Sequence, residues 1–333
     1  MTSIPLAAVT GADGFIGSHL TEALVASGYR VRAMAQYNPF SSYGWLEALH
    51  PDVLEQVEVV LGDVRDPSSV RHLVKGASCV YHLAALVAIP YSYRAPHSYV
   101  DTNVTGTLNV LEAVRAAGTP RLVHTSTSET YGSAQIVPIT EVHPINTQSP
   151  YAASKAGADC LADSYHASFE TPVVTLRPFN TFGPRQSMRA VIPTVIGQVA
   201  AGKRTITLGT LRPTRDFTFV KDTAQAFLAV GTAPAGQVVG RTFNAGTGGE
   251  ISIGDLVALI GKVMDTSLHV REDAQRLRPT NSEVVRLVAD SSRLRNATGW
   301  SPSHDLEQGL AATVEFFRDP VNLARYKTGI YNI

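Results

Sequence analysis

Cysteine is scarce. The 333-residue chain carries two, Cys79 and Cys160, with no spacing suited to a disulfide framework or a metal site. Both fall in apolar or helical stretches and are expected to be buried thiols in a reducing compartment. An excess of one charge is also missing. Lys plus Arg number 28 and Asp plus Glu number 28, a formal net charge of +0, so no overall field draws the chain to nucleic acid or an anionic membrane. Any phosphate binding must be local. No uncharged apolar run is long enough to span a bilayer, and Met1-Thr2-Ser3-Ile4-Pro5 lacks the basic-then-apolar run of a signal peptide. A cytoplasmic protein is expected. What is present is apolar bulk: 44% of residues are hydrophobic, enough for one large domain or two unequal lobes sharing a core, which excludes disorder as the main state.

The first half alternates short β-branched or apolar runs with longer amphipathic segments, the pattern of βαβ units on a parallel sheet. The expected strands are 6–10, 30–35, 57–61, 79–83, 121–125 and 173–177, with helices over 15–27, 99–117 and 151–169. Six strands with right-handed crossovers make a doubly wound, Rossmann-type α/β sheet. After Arg177, Pro178, Gly183, Pro184, Pro193, Gly202, Gly209 and Pro213 break the chain into short pieces. Periodic helices return at 255–264 and 305–318. The expected division is a dinucleotide-binding domain over 1–180, with part of the chain crossing back near 215–245, and a smaller C-terminal substrate lobe over 181–333.

Directly after the first strand stands Thr10-Gly11-Ala12-Asp13-Gly14-Phe15-Ile16-Gly17. Glycines at 11, 14 and 17 allow a tight turn whose main-chain N–H groups, at a helix N-terminus, meet a pyrophosphate. The acidic clamp for the adenosine ribose, due at the end of the second strand, is missing: the segment reads Arg30-Val31-Arg32-Ala33-Met34-Ala35-Gln36. NAD is the expected cofactor, with NADP left open. Gln36 is placed to bond a ribose hydroxyl, Arg32 would meet a 2′-phosphate only if it points toward the site, and Asp63 with Val64 is placed near the adenine.

Tyr151 and Lys155 are four apart in a helical segment, hence on one face. A nearby ammonium and a bound nicotinamide cation favour the phenolate of a residue whose ordinary pKa is about 10, which makes the tyrosine a usable base. The strand before it ends in Thr125-Ser126-Thr127-Ser128-Glu129, which supplies a hydroxyl to the same substrate oxygen.

The glycine loop, His82-Leu83-Ala84-Ala85, Ser126-Thr127-Ser128-Glu129-Thr130-Tyr131-Gly132 and Tyr151-Ala152-Ala153-Ser154-Lys155 together resemble an extended short-chain dehydrogenase/reductase, over nearly the whole chain. Within that superfamily Ile89-Pro90-Tyr91-Ser92-Tyr93, Arg177-Pro178-Phe179-Asn180, Gly183-Pro184-Arg185-Gln186 and Arg215-Asp216-Phe217 most resemble nucleotide-sugar 4,6-dehydratases, closest to those acting on nucleotide-linked N-acetylglucosamine in legionaminic-acid-type pathways. The resemblance implies oxidation at carbon 4 by Tyr151 and Lys155, with Thr127 polarising the ketone. Glu129 then removes the carbon-5 proton, and water leaves from carbon 6 before the hydride returns there. Many such enzymes carry Asp before the Glu as the acid; here the position is Ser128, leaving open whether Ser128 or Glu129 protonates the leaving hydroxyl. Thr-Ser-Glu also occurs in UDP-glucuronate decarboxylases.

The resemblance further implies cofactor contacts at Leu83, Ala84, Ala85, Asn103 and Phe179, and substrate contacts at Tyr91, Ser92, Asn180, Arg189, Arg215 and Arg278. Guanidinium forks suit a diphosphate. Arg185 is a weaker candidate, His82 reads as a core residue, and no metal site is expected. The expected substrate is UDP- or GDP-linked N-acetylglucosamine, the rivals are a 4-epimerase and a UDP-glucuronate decarboxylase, and helices 99–117 and 151–169 resemble those that pair two subunits into a homodimer. Retention of Thr127, Glu129, Tyr151 and Lys155 together disfavours a non-catalytic binding module.

Overall fold

The computed structural model describes residues 4–332. Six strands run where the sequence places them: β1 Leu6–Thr10, β2 Arg30–Gln36, β3 Val57–Gly62, β4 Cys79–His82, β5 Leu122–Thr125 and β6 Val173–Pro178. A seventh, Thr242–Ala245, extends the sheet beyond β6, giving the order seventh–β6–β5–β4–β1–β2–β3. Every pairing in it is parallel. All residues of β4 and β6 are buried, so neither strand alternates between a buried and a solvent face. The seventh strand corrects the expected six. Its Thr-Phe-Asn-Ala sequence is short and half made of poor strand formers, and it is held by pairing with β6 rather than by propensity.

Helices cover both sheet faces. Leu20, Leu24 and Phe227 pack on one face, and Val70, Leu73, Val110 and Val114 on the other; each such fully buried side chain contributes roughly 1.5–3 kcal/mol. The helix α1, Phe15–Ala26, starts at Gly14. The helix Pro150–Phe169 starts where Ser149 Oγ accepts the Ala152 N–H at 3.1 Å, with Pro150 in the first position. The expected helix 99–117 is not uniform: a widened π turn over Val100–Thr105 precedes a regular Gly106–Ala117 helix. There Thr107 Oγ1 donates back to the Asn103 carbonyl at 2.7 Å.

In the second half, helices Val191–Ala200, Ile253–Val263 and Leu306–Arg318 enclose a separate core around Phe182, Ile196, Leu256 and Phe317. Asp305 caps the last helix, its Oδ1 accepting the Gln308 N–H at 2.8 Å while Gln308 Oε1 accepts the Asp305 N–H at 3.0 Å. Short pairings, among them Thr214–Arg215 with Ile251–Ser252 and Arg286–Leu287, pin this lobe over the carboxyl edge of the sheet. Cys79 is buried as expected. Cys160 is exposed, because it lies on the outer face of its helix.

Candidate active site

One cavity of about 950 Å³ runs from the glycine loop, across the carboxyl ends of β1, β4, β5 and β6, to the arginines of the second lobe. Its cofactor end lies where β1 is flanked by β2 and β4, the switch point at which open α/β sheets bind ligands. Gly11 has φ +66°, and a Cβ there would stand 2.8 Å from Ala84 N. At Gly17 a Cβ would stand 2.1 Å from the Gly11 carbonyl. No side chain is admitted at either position; Ala12 N–H donates to the Met34 carbonyl at 3.2 Å and Gly14 N–H to the Gly11 carbonyl at 3.1 Å, which holds the loop tight at the start of α1. Thr10 Oγ1 fixes the opposite wall, accepting the Leu83 and Ala84 N–H groups at 3.0 Å each.

Gly14, Phe15, Ile16, Gln36, Asp63, Val64, Leu83, Ala84, Ala85 and Phe179 all line this end. Asp63 is occupied by Arg65, whose Nε lies 3.0 Å from both carboxylate oxygens; that bond holds the Asp63 pKa below the ordinary carboxylate range. The Phe179 N–H donates to the Ala245 carbonyl at 2.8 Å, and its ring packs in a buried cluster with Tyr131 and Ile139. Arg32 turns away, donating to Glu58 at 2.8 Å and to the carbonyl of Lys75 at 2.8 Å. A 2′-phosphate therefore finds no help from it. Asp13, unremarked in the sequence, also lines the cavity, and its carboxylate accepts the Gln36 N–H at 3.0 Å.

Asn103 is corrected. Its amide is spent on Leu86, accepting that N–H at 2.8 Å and donating to the carbonyl at 2.9 Å, and on Ser154 at 2.9 Å. It lies off the cavity and shapes the Leu86 backbone that lines it. His82 is a core residue as expected. Its Nδ1 meets Thr10 Oγ1 at 2.8 Å and its Nε2 meets Thr107 Oγ1 at 3.0 Å, and burial pushes its pKa well down.

At the centre Thr127, Glu129, Tyr151 and Lys155 converge on the cavity. Burial raises the Tyr151 pKa, against a hydrogen bond from Thr127 that lowers it, while burial lowers Lys155 to about 8. Burial thus favours the neutral phenol at Tyr151, and a positive charge brought close by a bound cofactor would favour the phenolate. Ser128 is corrected: it is buried at the start of the tight 3-10 turn Ser128–Tyr131 and does not line the cavity. Glu129 remains as the carboxylate that does.

Glu129 Oε2 lies 3.9 Å from Arg278 Nη1, which is 4.0 Å from Glu283, and Glu283 is 3.5 Å from Arg215 Nη2. Arg278 Nη1 and Asn180 Oδ1 are buried with no hydrogen-bond partner among the described residues; polar atoms so placed in a cavity wall are suited to a polar ligand. Tyr91 and Arg189 line the same region. Ser92 does not, its hydroxyl being turned inward to the Ile89 carbonyl at 2.7 Å. Arg185 is taken up by Glu22 at 2.8 Å. Glu283, five residues past Arg278, was signalled only by its place in the same segment.

The family profile of GDP-mannose 4,6 dehydratase matches residues 8–313. The chain belongs to that family. This GDP-mannose 4,6 dehydratase family member is 33% identical over 317 residues to the UDP-glucose 4-epimerase of Mycolicibacterium smegmatis, covering 93% of this chain and 98% of the relative. It is 31% identical over 331 residues to the dTDP-glucose 4,6-dehydratase of Xanthomonas campestris pv. campestris, covering 93% and 92%. Its structure is similar to a dTDP-glucose 4,6-dehydratase, DesIV from Streptomyces venezuelae, solved as a double mutant with NAD bound, at TM-score 0.82 and 28% identity, covering 95% of this chain and 97% of that one. The resemblance to extended short-chain dehydrogenase/reductases is borne out, and with it the expectation of an enzyme.

Proposed function

We propose that this family member is an NAD-dependent nucleotide-sugar 4,6-dehydratase, and that Thr127, Glu129, Tyr151 and Lys155 carry its chemistry. The observation that supports it is the convergence of Glu129 with the Tyr151–Lys155 pair on one cavity, since a plain 4-epimerase has no use for a carbon-5 base. NAD fits a loop that excludes any Cβ at Gly11 and an adenosine end from which Arg32 is turned away. When bound, its nicotinamide takes a hydride from carbon 4 of the hexose and returns it to carbon 6. Tyr151 takes the 4-hydroxyl proton, with Lys155 stabilising the phenolate. Thr127 donates to the oxygen that becomes the ketone. Glu129 removes the acidified carbon-5 proton and hands it to the carbon-6 hydroxyl as that leaves as water; when the hydride reaches carbon 6, a solvent-derived proton is delivered to carbon 5, and the proton held by Tyr151 returns to solvent. Arg215 and Arg278 hold the diphosphate, with Asn180 and Arg189 beside them and Tyr91 along the sugar.

The substrate we propose is a UDP- or GDP-linked N-acetylglucosamine, on the resemblance of the 89–93, 177–180, 183–186 and 215–217 segments. The relatives named above are enzymes of dTDP-glucose and UDP-glucose, so the test must include both. The 33%-identical epimerase relative supports 4-epimerisation as the second reading. The deciding experiment incubates the protein with UDP-, GDP- and dTDP-hexoses in deuterated water and reads products by mass spectrometry. Loss of one water with one deuterium gained at carbon 5 is the expected result. An inverted hydroxyl at unchanged mass, or loss of carbon dioxide from UDP-glucuronate, overturns it in favour of an epimerase or a decarboxylase.

A further inference from the structure

Below the Tyr151–Lys155 pair lies a buried carboxylate that has no part in the scheme above. Asp159 is 4% exposed and sits one turn beyond Lys155, so Tyr151, Lys155 and Asp159 share one face of the Pro150–Phe169 helix. Its Oδ1 accepts from His124 Nε2 at 3.0 Å, and its Oδ2 accepts from Ser126 Oγ at 2.6 Å and Arg177 Nη2 at 2.9 Å. His124 belongs to β5, Ser126 follows that strand just before Thr127, and Arg177 belongs to β6. Arg177 continues to the Tyr131 hydroxyl at 2.9 Å, and Tyr131 to Asn244 on the seventh strand at 2.8 Å. One carboxylate thus ties the helix bearing the base to both strands bearing the rest of the centre.

A buried ion is retained at a cost of several kcal/mol unless it is paired and hydrogen-bonded, and this one is satisfied on both oxygens. It does not share its proton: burial raises its pKa, but the bonds from His124, Arg177 and Ser126 hold it at about 2. The groups facing it are His124 from β5, Arg177 from β6, Tyr131 from the turn after β5, and Tyr151, Lys155 and Asp163 from its own helix; its charge raises the Tyr151 pKa as well as that of Lys155. His124 is fully buried, and burial lowers its pKa against the bond and charge of Asp159, which raise it.

We infer that Asp159 is a positioning residue for the oxidation step, pinning Ser126 and hence Thr127 against the catalytic helix while its negative charge keeps Lys155 an ammonium. Burial draws the Lys155 proton off and Asp159 is the charge that opposes this. Without it, nothing opposes the effect of burial on Lys155, and the positive charge beside Tyr151 is weakened. The inference rests on the dehydratase reading only for the turnover measurement below.

The chain has six lysines, Lys75, Lys155, Lys203, Lys221, Lys262 and Lys327, few enough for a 13Cε-lysine NMR titration of the NAD-loaded protein, with Lys155 assigned by Lys155→Met. In Asp159→Asn the Lys155 titration is expected to fall by roughly one pH unit or more, the scale of one charge removed a turn away in a partly shielded interior. Asp159→Glu keeps the charge and is expected to leave the titration within a few tenths of a unit. In turnover, the alkaline limb of kcat moves down with the NMR titration in Asp159→Asn while KM changes less than about threefold. An unmoved Lys155 titration in folded Asp159→Asn overturns the inference, as does an equal shift in Asp159→Glu. If Asp159→Asn does not fold, Ser126→Ala removes the 2.6 Å bond to Asp159 while leaving its charge in place; it is expected to lower kcat with the Lys155 titration within a few tenths of a unit of the native one, and an unchanged kcat refutes the pinning of Thr127. A shifted titration in a protein that turns over no nucleotide-hexose supports the role of Asp159 and sinks the dehydratase reading instead.

Discussion

Replacing Gly11 by Ala tests the cofactor loop where the geometry is least forgiving. The residue sits at φ +66°, where a side chain costs about 1–2 kcal/mol on dihedral grounds. The new Cβ would also lie 2.8 Å from Ala84 N and 2.9 Å from Ala84 Cα. Those atoms are backbone and must move as a unit. The Leu83 and Ala84 N–H groups would then leave Thr10 Oγ1, each now at 3.0 Å, at about 1 kcal/mol per bond. The sum is about 3–4 kcal/mol, or roughly 4–6 °C in Tm for a chain of this size. Gly28→Ala is the control: its φ is +83° but nothing lies within 4 Å of a Cβ, so only the dihedral cost applies. Thermal melts of both variants, with NAD content measured after release and chromatography, separate the two contributions. Equal melting temperatures and undiminished NAD in Gly11→Ala would refute the close-packing argument.

Glu129→Gln is expected to stall the reaction after carbon-4 oxidation, lowering overall turnover about 10²–10⁴-fold while absorbance at 340 nm accumulates; native-rate product would place the base elsewhere. Tyr151→Phe is expected to abolish both the absorbance change and turnover, and retained activity would remove it from the oxidation step. Glu22 gives an acid-stability prediction: burial raises its pKa, but the hydrogen bonds of His19 and Arg185 pull it down to about 2 from 4.5. Its folded pKa lies below its unfolded one, so its contribution is present above pH 4.5 and is lost as pH falls toward 2. Because the side chain is 34% exposed, screening limits this to about 1 kcal/mol. Denaturation midpoints between pH 6 and 3 should therefore fall less steeply in Arg185→Gln than in the native chain, and parallel curves would discount the pair. Sedimentation should give a dimer mass if helices Gly106–Ala117 and Pro150–Phe169 pair across subunits as their resemblance implies, and a monomer at micromolar concentration counts against it.

What could be read from the chain itself was what depends on local pattern. Six of seven sheet strands carry β-branched or apolar residues enough to be read directly, and the glycine loop shows itself because Gly11 and Gly17 sit where no other residue fits. Tyr151 and Lys155 declare themselves by helical spacing. The seventh strand escaped because Thr242–Ala245 owes its conformation to a partner strand some seventy residues earlier. Only the folded chain decided which residues of a motif face the cavity. Ser92, Asn103 and Ser128 stand within the right segments, yet their polar atoms or backbones are committed to neighbours. Arg32 and Arg185 are likewise bound to Glu58 and Glu22 rather than left for phosphate. The cluster of Glu129, Arg278, Glu283 and Arg215, and the pinning of Ser126 and Arg177 by Asp159, join residues distant along the chain. Residue type and spacing determine which groups are available, but the direction of a side chain and its hydrogen-bond partner depend on contacts that exist only once the lobes have closed over the sheet.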